Sequence, residues 1–414
     1  MKKEKKYTFL DPIHQNIELD TAKDDEKLIL SLIETSEFQR LRRIRQLGFS
    51  YLTFYGAEST RFVHSIGAFH IARMILNKLE RNHRRLIENH RLPILIAALL
   101  HDIGHGPFSH SSEPAFDFQH EKWTVKIILD QSTQINQLLS NYEKDLPQKV
   151  AKILSESNKP SWTCQIISGQ LDCDRADYLI RDSHQTGTTY GVFQLDRIIQ
   201  SLELEKVKGE VKLVVNEKGI NAVEDYLFAR YSMYLQVYHH KKTLSADALF
   251  SSLIERAKDL LINEEPIELS DSLKVWLLPT KYKMRHEDFW EVDDVCIIQH
   301  LKSWKKRAKD YILQDLASRL LDRNLFQSVR VDTIRKKDIE NVVYKLGLEK
   351  SKYYCLIREC KEFQYGDKKK PILVEKNGKV KELSKVSSVA AALINKSKEL
   401  DIEWMFYPKD LIRF

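Results

Sequence analysis

His101 and Asp102 stand side by side at the polar end of an apolar run, Leu92 to Leu100, in the stretch AALLHDIGHGPFSH. An imidazole nitrogen and a carboxylate oxygen on neighbouring residues can ligate one divalent metal, and Gly104, Gly106 and Pro107 end the helix and open its mouth there. Eight of the 14 histidines fall between His64 and His120, among them His105, His110 and the pair His120 and Glu121. That density, in a segment otherwise patterned as amphipathic helix, points to a metal-centred catalytic cleft.

Two further helices bear on the same chemistry. In QLDCDRADYLIRDSH, Asp174, Tyr178 and Asp182 recur every four residues, so one helical face carries two carboxylates and a phenol, which is poor core material. The competing reading is a solvated face with Asp177 and Arg181 as a surface ion pair. With the upstream histidines in view, Asp174 becomes the natural fourth ligand. In DYLFARYSMYLQVYHHKK, Arg230, Tyr234 and Tyr238 share a face at the same spacing. A guanidinium binds phosphate oxygens bidentately and a tyrosine ring can lie against a sugar or base. Tyr234 reads as core, so the functional expectation falls on Arg230 and Tyr238. Arg61, one turn before His64, could hold a phosphate against the metal, although a lone arginine also suits a helix surface.

These groups must be positioned by helices. Apolar periodicity runs through Phe62 to Leu79, Ala222 to Lys241 and Ala246 to Ile262, and helix dominates to about residue 330. Val211 to Val215, followed by Asn216 and Gly219, reads as a hairpin strand. From Tyr353 onward, YYCLIREC, PILVEKNGKVKEL with its Asn377-Gly378 turn, and IEWMFYP read as strands, with a helix over Val386 to Glu399. The expected fold is mainly α, a helical core at 1–330 with a smaller α+β region at 331–414.

Composition narrows the class. Lys and Arg total 66 against 59 Asp and Glu, a net charge of +7 over 414 residues, and the charges are interspersed. That balance favours a local phosphate site over an extended nucleic-acid surface. Cys164, Cys173, Cys296, Cys355 and Cys360 form no CxxC pair and read as reduced thiols. The N-terminus lacks an apolar segment after its lysines, and no later run approaches the ~18 apolar residues of a membrane helix. A cytoplasmic protein is expected.

Taken in order, RFVHS, HDIGHGPFSH, the His120-Glu121 pair and DCDRADYLIRDSH closely resemble HD-domain phosphohydrolases and, within them, the deoxynucleoside triphosphate triphosphohydrolases. The resemblance extends upstream through QRLRRIRQLGFSYLTFYGAESTRFVHS and downstream to ARYSMYLQVYHHK, covering roughly residues 7–330. Within that group the chain looks like a microbial-type relative of the animal SAM-and-HD-domain enzymes, without a SAM domain. The resemblance implies an all-helical HD core with His64, His101, Asp102 and Asp174 as metal ligands, a mixed N/O set suited to Mg, Mn, Fe or Zn.

It further places His105, His110, Glu113 and His120 in a catalytic cluster. His110 would donate a proton to the departing 5′ oxygen while Glu113 and His120 orient and polarise it, since an alkoxide is too basic to leave unassisted. Glu113 stands where the animal enzymes carry aspartate. Arg61, Arg175, Tyr178 and Arg230 match triphosphate-binding positions, Arg175 replacing a lysine. Gln46 and Asp182 match positions that recognise the sugar 3′-hydroxyl. Leu47 and Tyr238 match the pair against the 2′ carbon, where a ribose hydroxyl would lose solvation and risk a clash.

The reaction implied is attack of water on the α-phosphorus, with a divalent metal activating the water, giving deoxynucleoside and intact tripolyphosphate. Relatives assemble as tetramers with activating nucleotides at their interfaces, so GTP or dGTP and a homotetramer are implied partners. Glu34, Gln39 and Arg42 match a guanine-reading regulatory site. Arg197 and Lys218 match phosphate-binding positions of a second site, where Asn216 and Ala222 replace an arginine and an asparagine. Two other classes stay open: an HD-type nuclease or phosphodiesterase, since the same metal chemistry hydrolyses diesters, and a nucleotide-gated regulatory protein using Lys368, Lys369 and Lys370 for a partner or nucleic acid. The Tyr238–Leu47 gate argues against the first and the intact ligand set against the second.

Overall fold

Apolar residues at helical spacing build the frame that carries the site. The structure, a computed structural model, describes residues 6–155, 161–278, 284–333, 336–360, 371–397 and 402–410. Lys368, Lys369 and Lys370 therefore lie outside the described residues. The protein opens with an antiparallel hairpin, β1 (Lys6–Asp11) and β2 (Gln15–Asp20), in a region whose sequence reads as helical. Tyr7, Phe9, Ile17 and Leu19 alternate there with polar residues, a period-two signal that is short and easily missed.

Helix α1 (Asp24–Glu34) buries Leu28, Ile29, Leu32 and Ile33 on one face. Helix α2 (Arg61–Glu88) extends the expected Phe62 to Leu79 segment at both ends and is kinked at His83. Helix α3 (Arg91–Leu100) is enclosed throughout its last seven residues, Ile94 to Leu100. Pro93 is tolerated because N–H groups of a first helical turn have no intrahelical partner. Helices α2 and α3 pack against each other, and α4 (His120–Leu129) and α5 (Cys173–Gln185) complete the walls around His101.

Strands β3 (Leu202–Val207) and β4 (Glu210–Asn216) form the expected hairpin, but its turn lies at Lys208 and Gly209, both at positive φ, ahead of the predicted strand. Asn216 instead accepts a hydrogen bond from the Lys218 amide and starts the next turn. Helix α6 (Ile220–Met233) ends in a π-helical turn, Tyr234–Tyr238, before α7 (Lys241–Ile262). The single helix predicted over Ala222 to Lys241 is thus interrupted, and the wider turn re-aims Tyr238 away from a strict four-residue stack.

Beyond α7, β5 (Gln327–Arg330), β6 (Leu356–Cys360), β7 (Leu373–Lys376), β8 (Lys379–Glu382) and β9 (Ile402–Tyr407) make two sheets, ordered β3-β4-β7-β8 and β5-β9-β6. Asn377 and Gly378, at φ 53° and 72°, form the turn their residue types predict. Tyr353 and Tyr354 close a helix rather than open a strand. The protein is therefore mainly α with a smaller sheet-containing C-terminal region. Val215 of β4 pairs in parallel with Val374 of β7, so the chain beyond residue 331 completes a sheet begun in the helical part. We propose 1–330 and 331–414 as the two regions of the chain, joined through that sheet.

Candidate active site

Helix α3 ends where its apolar sequence ends, and the next residues are held in place by α4. Thr124 Oγ1 donates to the His101 carbonyl at 2.9 Å and accepts from the Gly104 amide at 3.0 Å. A Cβ on Gly104 would lie 2.3 Å from the His120 carbonyl, so only glycine lets this loop meet the start of α4. His101, His105 and His120 are thereby fixed within one small volume.

His64 comes from α2, His101 and Asp102 follow α3, and Asp174 sits in the first turn of α5. His64 Nε2 lies 3.2 Å from His101 Nε2, 3.1 Å from Asp174 Oδ1 and 3.4 Å from Asp102 Oδ2. His101 Nε2 lies 3.5 Å from Asp174 Oδ1 and 3.4 Å from Asp102 Oδ1. Donors ~3.0–3.4 Å apart are what a cation bound at ~2.0–2.2 Å imposes on adjacent ligands. The tautomers agree with that fit. His101 Nδ1 is 2.9 Å from the Ala98 carbonyl and His64 Nδ1 is 2.8 Å from Asp177 Oδ2, so both rings have their Nδ1 protons engaged and turn Nε2 lone pairs inward.

The electrostatics of this set call for positive charge. Burial opposes a charged His64, yet hydrogen bonds to Asp174 and Asp177 and the charge of Asp102 raise its pKa to about 10. Asp102 is enclosed, which disfavours its charge, but Arg61 and His101 hold it well below the usual carboxylate range. Arg61 Nη1 pairs with Asp102 Oδ2, and its Nε donates to Ser109 Oγ at 2.8 Å. The Arg61 guanidinium, expected to hold a phosphate, is thus also paired with the Asp102 carboxylate.

The second cluster lies alongside. Glu113 Oε1 accepts from His110 Nδ1 at 2.8 Å and from His120 Nδ1 at 2.7 Å, so the glutamate spans to both histidines. Burial raises its pKa, but these two hydrogen bonds outweigh it and hold the carboxyl below its ordinary range. His105 stacks on His120 with centroids 3.8 Å apart, and its Nε2 lies 3.2 Å from Asp102 Oδ1. Burial, with Arg61 and His120, keeps His105 neutral. His110 is the exposed member, with 70% of its side chain open to solvent.

His101, Asp102 and Asp174 of the first cluster and His105, His110 and His120 of the second line one cleft of about 720 Å³, together with Gln46, Leu47, Arg61, Arg175, Tyr178, Asp182 and Tyr238, whereas His64, Glu113 and Arg230 are outside its lining. Arg175 Nη1 is anchored by the Gly169 carbonyl at 2.7 Å and by Asp172. Arg230 is buried and donates to Gln170 Oε1 at 2.8 Å. Tyr238 donates to Asp182 Oδ2 at 2.9 Å, and burial raises the Asp182 pKa to about 7 despite that bond. Gln46 Oε1 and Asp182 Oδ1 are buried with no hydrogen-bond partner in the protein.

Glu34, Gln39 and Arg42 lie apart from the cleft, at and after the end of α1. Gln39 Oε1 accepts from Arg42 Nε at 2.8 Å, Arg42 lies 3.5 Å over the Phe62 ring, and Glu34 is exposed. Arg197 donates to the Lys218 carbonyl at 3.4 Å on another exposed patch.

The sequence reading missed the support beneath these loops. Asp177 and Arg181 are a fully buried pair, not a solvated one, and Asp177 also meets His14 Nε2 at 2.7 Å from the N-terminal hairpin. Its one signal was its position three residues after Asp174. Arg40 donates to the carbonyls of His105, Trp290 and Val292, and Asp294 accepts from the amides of Phe108 and Arg45. Those partners lie up to 252 residues apart in sequence, where no local pattern reports them.

Residues 61–182 match the HD domain model and residues 193–401 the HD associated region. The chain belongs to the HD-domain family. It is 36% identical to the uncharacterized protein YwfO of Bacillus subtilis over 98% of this chain and 92% of that one. Human SAMHD1, a deoxynucleoside triphosphate triphosphohydrolase, is 27% identical over 83% of this chain, which spans 59% of its length. A solved phosphohydrolase from Bacteroides thetaiotaomicron is 27% identical with a TM-score of 0.83, covering 97% of this chain and 100% of that one. The protein is thus an HD-type phosphohydrolase with a donor set suited to a divalent metal. Among the described residues no helix is long and apolar enough to cross a membrane, and the four cysteines whose side chains are described form no disulfide.

Proposed function

We propose that this protein is a metal-dependent dNTP triphosphohydrolase, converting dNTP and water to deoxynucleoside and tripolyphosphate, and so able to lower dNTP pools. The observation that carries this reading is the pair of buried acceptors, Gln46 Oε1 and Asp182 Oδ1, left without protein partners in the cleft that holds the histidine and aspartate donors. Buried polar atoms rarely go unpaired, and an unpaired carboxylate or amide oxygen in a cleft suits a hydroxyl donor such as a sugar 3′-OH. Tyr238 is tied to Asp182 beside them, and its ring with Leu47 gives an apolar lining that disfavours a ribose 2′-hydroxyl.

His64, His101, Asp102 and Asp174 would hold the metal, which when bound lowers the pKa of water and screens phosphate charge. Arg61, Arg175 and Arg230, each oriented by a fixed partner, would bind the triphosphate with Tyr178. His110, exposed to the cleft and bonded to Glu113, would give its proton to the departing 5′ oxygen, with His120 sharing the same carboxylate oxygen. Activation by GTP or dGTP through Glu34, Gln39 and Arg42, with Arg197 and Lys218 at a second site, and assembly as a homotetramer belong to the same proposal. So does a cytoplasmic location.

The test is an anion-exchange product assay with the four dNTPs and GTP, singly and in pairs, with Mg or Mn present. Deoxynucleoside plus tripolyphosphate, abolished by Asp102→Ala, is the expected result. Deoxynucleoside monophosphate plus pyrophosphate would overturn it, because the bond broken would lie on the other side of the α-phosphorus.

A further inference from the structure

The cleft continues past the sugar end, and the C-terminal sheet closes it. Leu47 is followed by Gly48, whose Cβ position lies 2.5 Å from Ser111 Oγ, so the sugar-side loop touches Ser111 directly. Ser111 Oγ donates to Asp247 Oδ1 at 2.6 Å. Asp247 sits one turn beyond Thr243 on α7, leading away from Tyr238, and both line the cleft. Arg358 from β6 and Phe406 from β9 line the same end, and the Arg358 charge acts on Asp247. Arg175, from α5, lines the cleft, whereas Arg230 of α6 is buried. A dNTP laid with its phosphates toward Arg175 and its sugar at Gln46 and Leu47 leaves this part of the lining for its base.

We propose that Asp247 and Arg358, backed by Phe406, form a nucleobase subsite that reads the edge of guanine, an inference that rests on the dNTP reading above. Guanine presents N1–H and N2–H₂ donors beside its O6 acceptor. A carboxylate accepts two N–H groups and a guanidinium donates to a carbonyl oxygen, so this pair complements that edge. Adenine presents one exocyclic donor beside a ring acceptor and leaves a carboxylate oxygen unmatched. The Ser111 hydroxyl holds Asp247 in place through one lone pair of Oδ1, so each carboxylate oxygen keeps an acceptor site for the base. The C-terminal region thereby gains a role in substrate choice.

The experiment compares kcat/KM for dGTP, dITP, dATP, dCTP and dTTP, with GTP saturating in every assay so that any regulatory site sees a constant ligand. Nucleotide binding is followed in parallel by calorimetry in calcium. The full-length wild type is set against Asp247→Asn and Arg358→Gln, two independent variants in case one fails to fold. The expected result is a wild-type preference for dGTP over dITP and dATP of about 10-fold or more, lost in either variant while dATP and dCTP change less than about threefold. A common loss for all bases, an unchanged base pattern, or a wild type without preference for dGTP overturns the subsite while leaving the dNTPase reading intact. Neither turnover nor binding of any dNTP by the wild type overturns both.

Discussion

The Nδ1 of His64 lies 2.8 Å from Oδ2 of Asp177, and neither side chain is exposed. This contact sets which nitrogen of His64 faces the other donors. Asp177 is itself fixed by Arg181 Nε and Nη2, each at 2.8 Å, and by His14 Nε2. The N-terminal hairpin and α5 thus reach the candidate metal-binding set through one carboxylate.

Replacing that carboxylate should loosen the metal before it loosens the fold. Asp177→Asn keeps the volume but weakens the acceptor for His64, and we expect metal affinity to fall about 10–100-fold, read by metal analysis after dialysis against graded chelator. Asp177→Ala should also cost about 3–5 kcal/mol of stability, because Arg181 is left partly uncompensated in the interior. Full metal retention in the Asn variant, with an unchanged melting curve, would show that Asp177 does not orient His64.

Glu113 offers a sharper test of the second cluster. One oxygen serves both His110 and His120, so Glu113→Gln should lower kcat about 10²-fold with little change in KM, as for loss of an oriented acid. Glu113→Asp, shorter by one methylene, should keep one of the two hydrogen bonds and fall between. A KM effect without a kcat effect would place Glu113 in binding rather than proton transfer.

The candidate site residues were legible because each motif is local: His101 beside Asp102, and Asp174, Tyr178 and Asp182 along one face. The mainly helical core was legible for the same reason, since three-to-four-residue periodicity repeats within each helix. The hairpin at Lys6–Asp20 and the π turn at Tyr234–Tyr238 were not, because six-residue strands and one widened turn leave few residues to show a period. The supports were not legible either. Arg40 and Asp294 act on His105, Phe108 and Arg45 through contacts that exist only once distant segments meet. Arg181 even carried a misleading signal, since an Asp and an Arg four apart on a helix usually mark a solvated face.

Asp294 predicts a pH dependence of stability. Burial raises its folded pKa to about 6, although the Phe108 and Arg45 amides and the Arg45 charge favour the ionised form. An unfolded aspartate titrates near ~3.9. Between about pH 4 and 6 the unfolded chain therefore binds fewer protons at this site, and its contribution to stability declines as pH rises through that window and stays low above it. Urea titrations from pH 4 to 7 should show wild type losing stability relative to Asp294→Asn, by an amount on the order of 2–3 kcal/mol. A difference that stays constant across the window would mean that Asp294 is ionised throughout.

Gly48 joins the two halves of the cleft, and its replacement should separate geometry from chemistry. Its φ is +49°, and a Cβ there would lie 2.5 Å from Ser111 Oγ and 2.8 Å from the Phe108 carbonyl. The loop it meets is itself unusual, with Phe108 and Ser109 at φ 58° and 56° immediately before His110. Ser109 is locked by Arg61 and by donation to the Arg45 carbonyl, so it has little room to retreat. Gly48→Ala must then displace either Leu47 or the turn carrying His110, at a cost of about 1–3 kcal/mol. Because the proposed metal ligands lie on other elements, metal content should be unchanged. KM for the dNTP should rise if Leu47 moves, and kcat should fall if His110 moves. Steady-state kinetics with a metal assay on the same preparation distinguishes the two, and unaltered kinetics in a stable variant would show that this close approach does not position either loop.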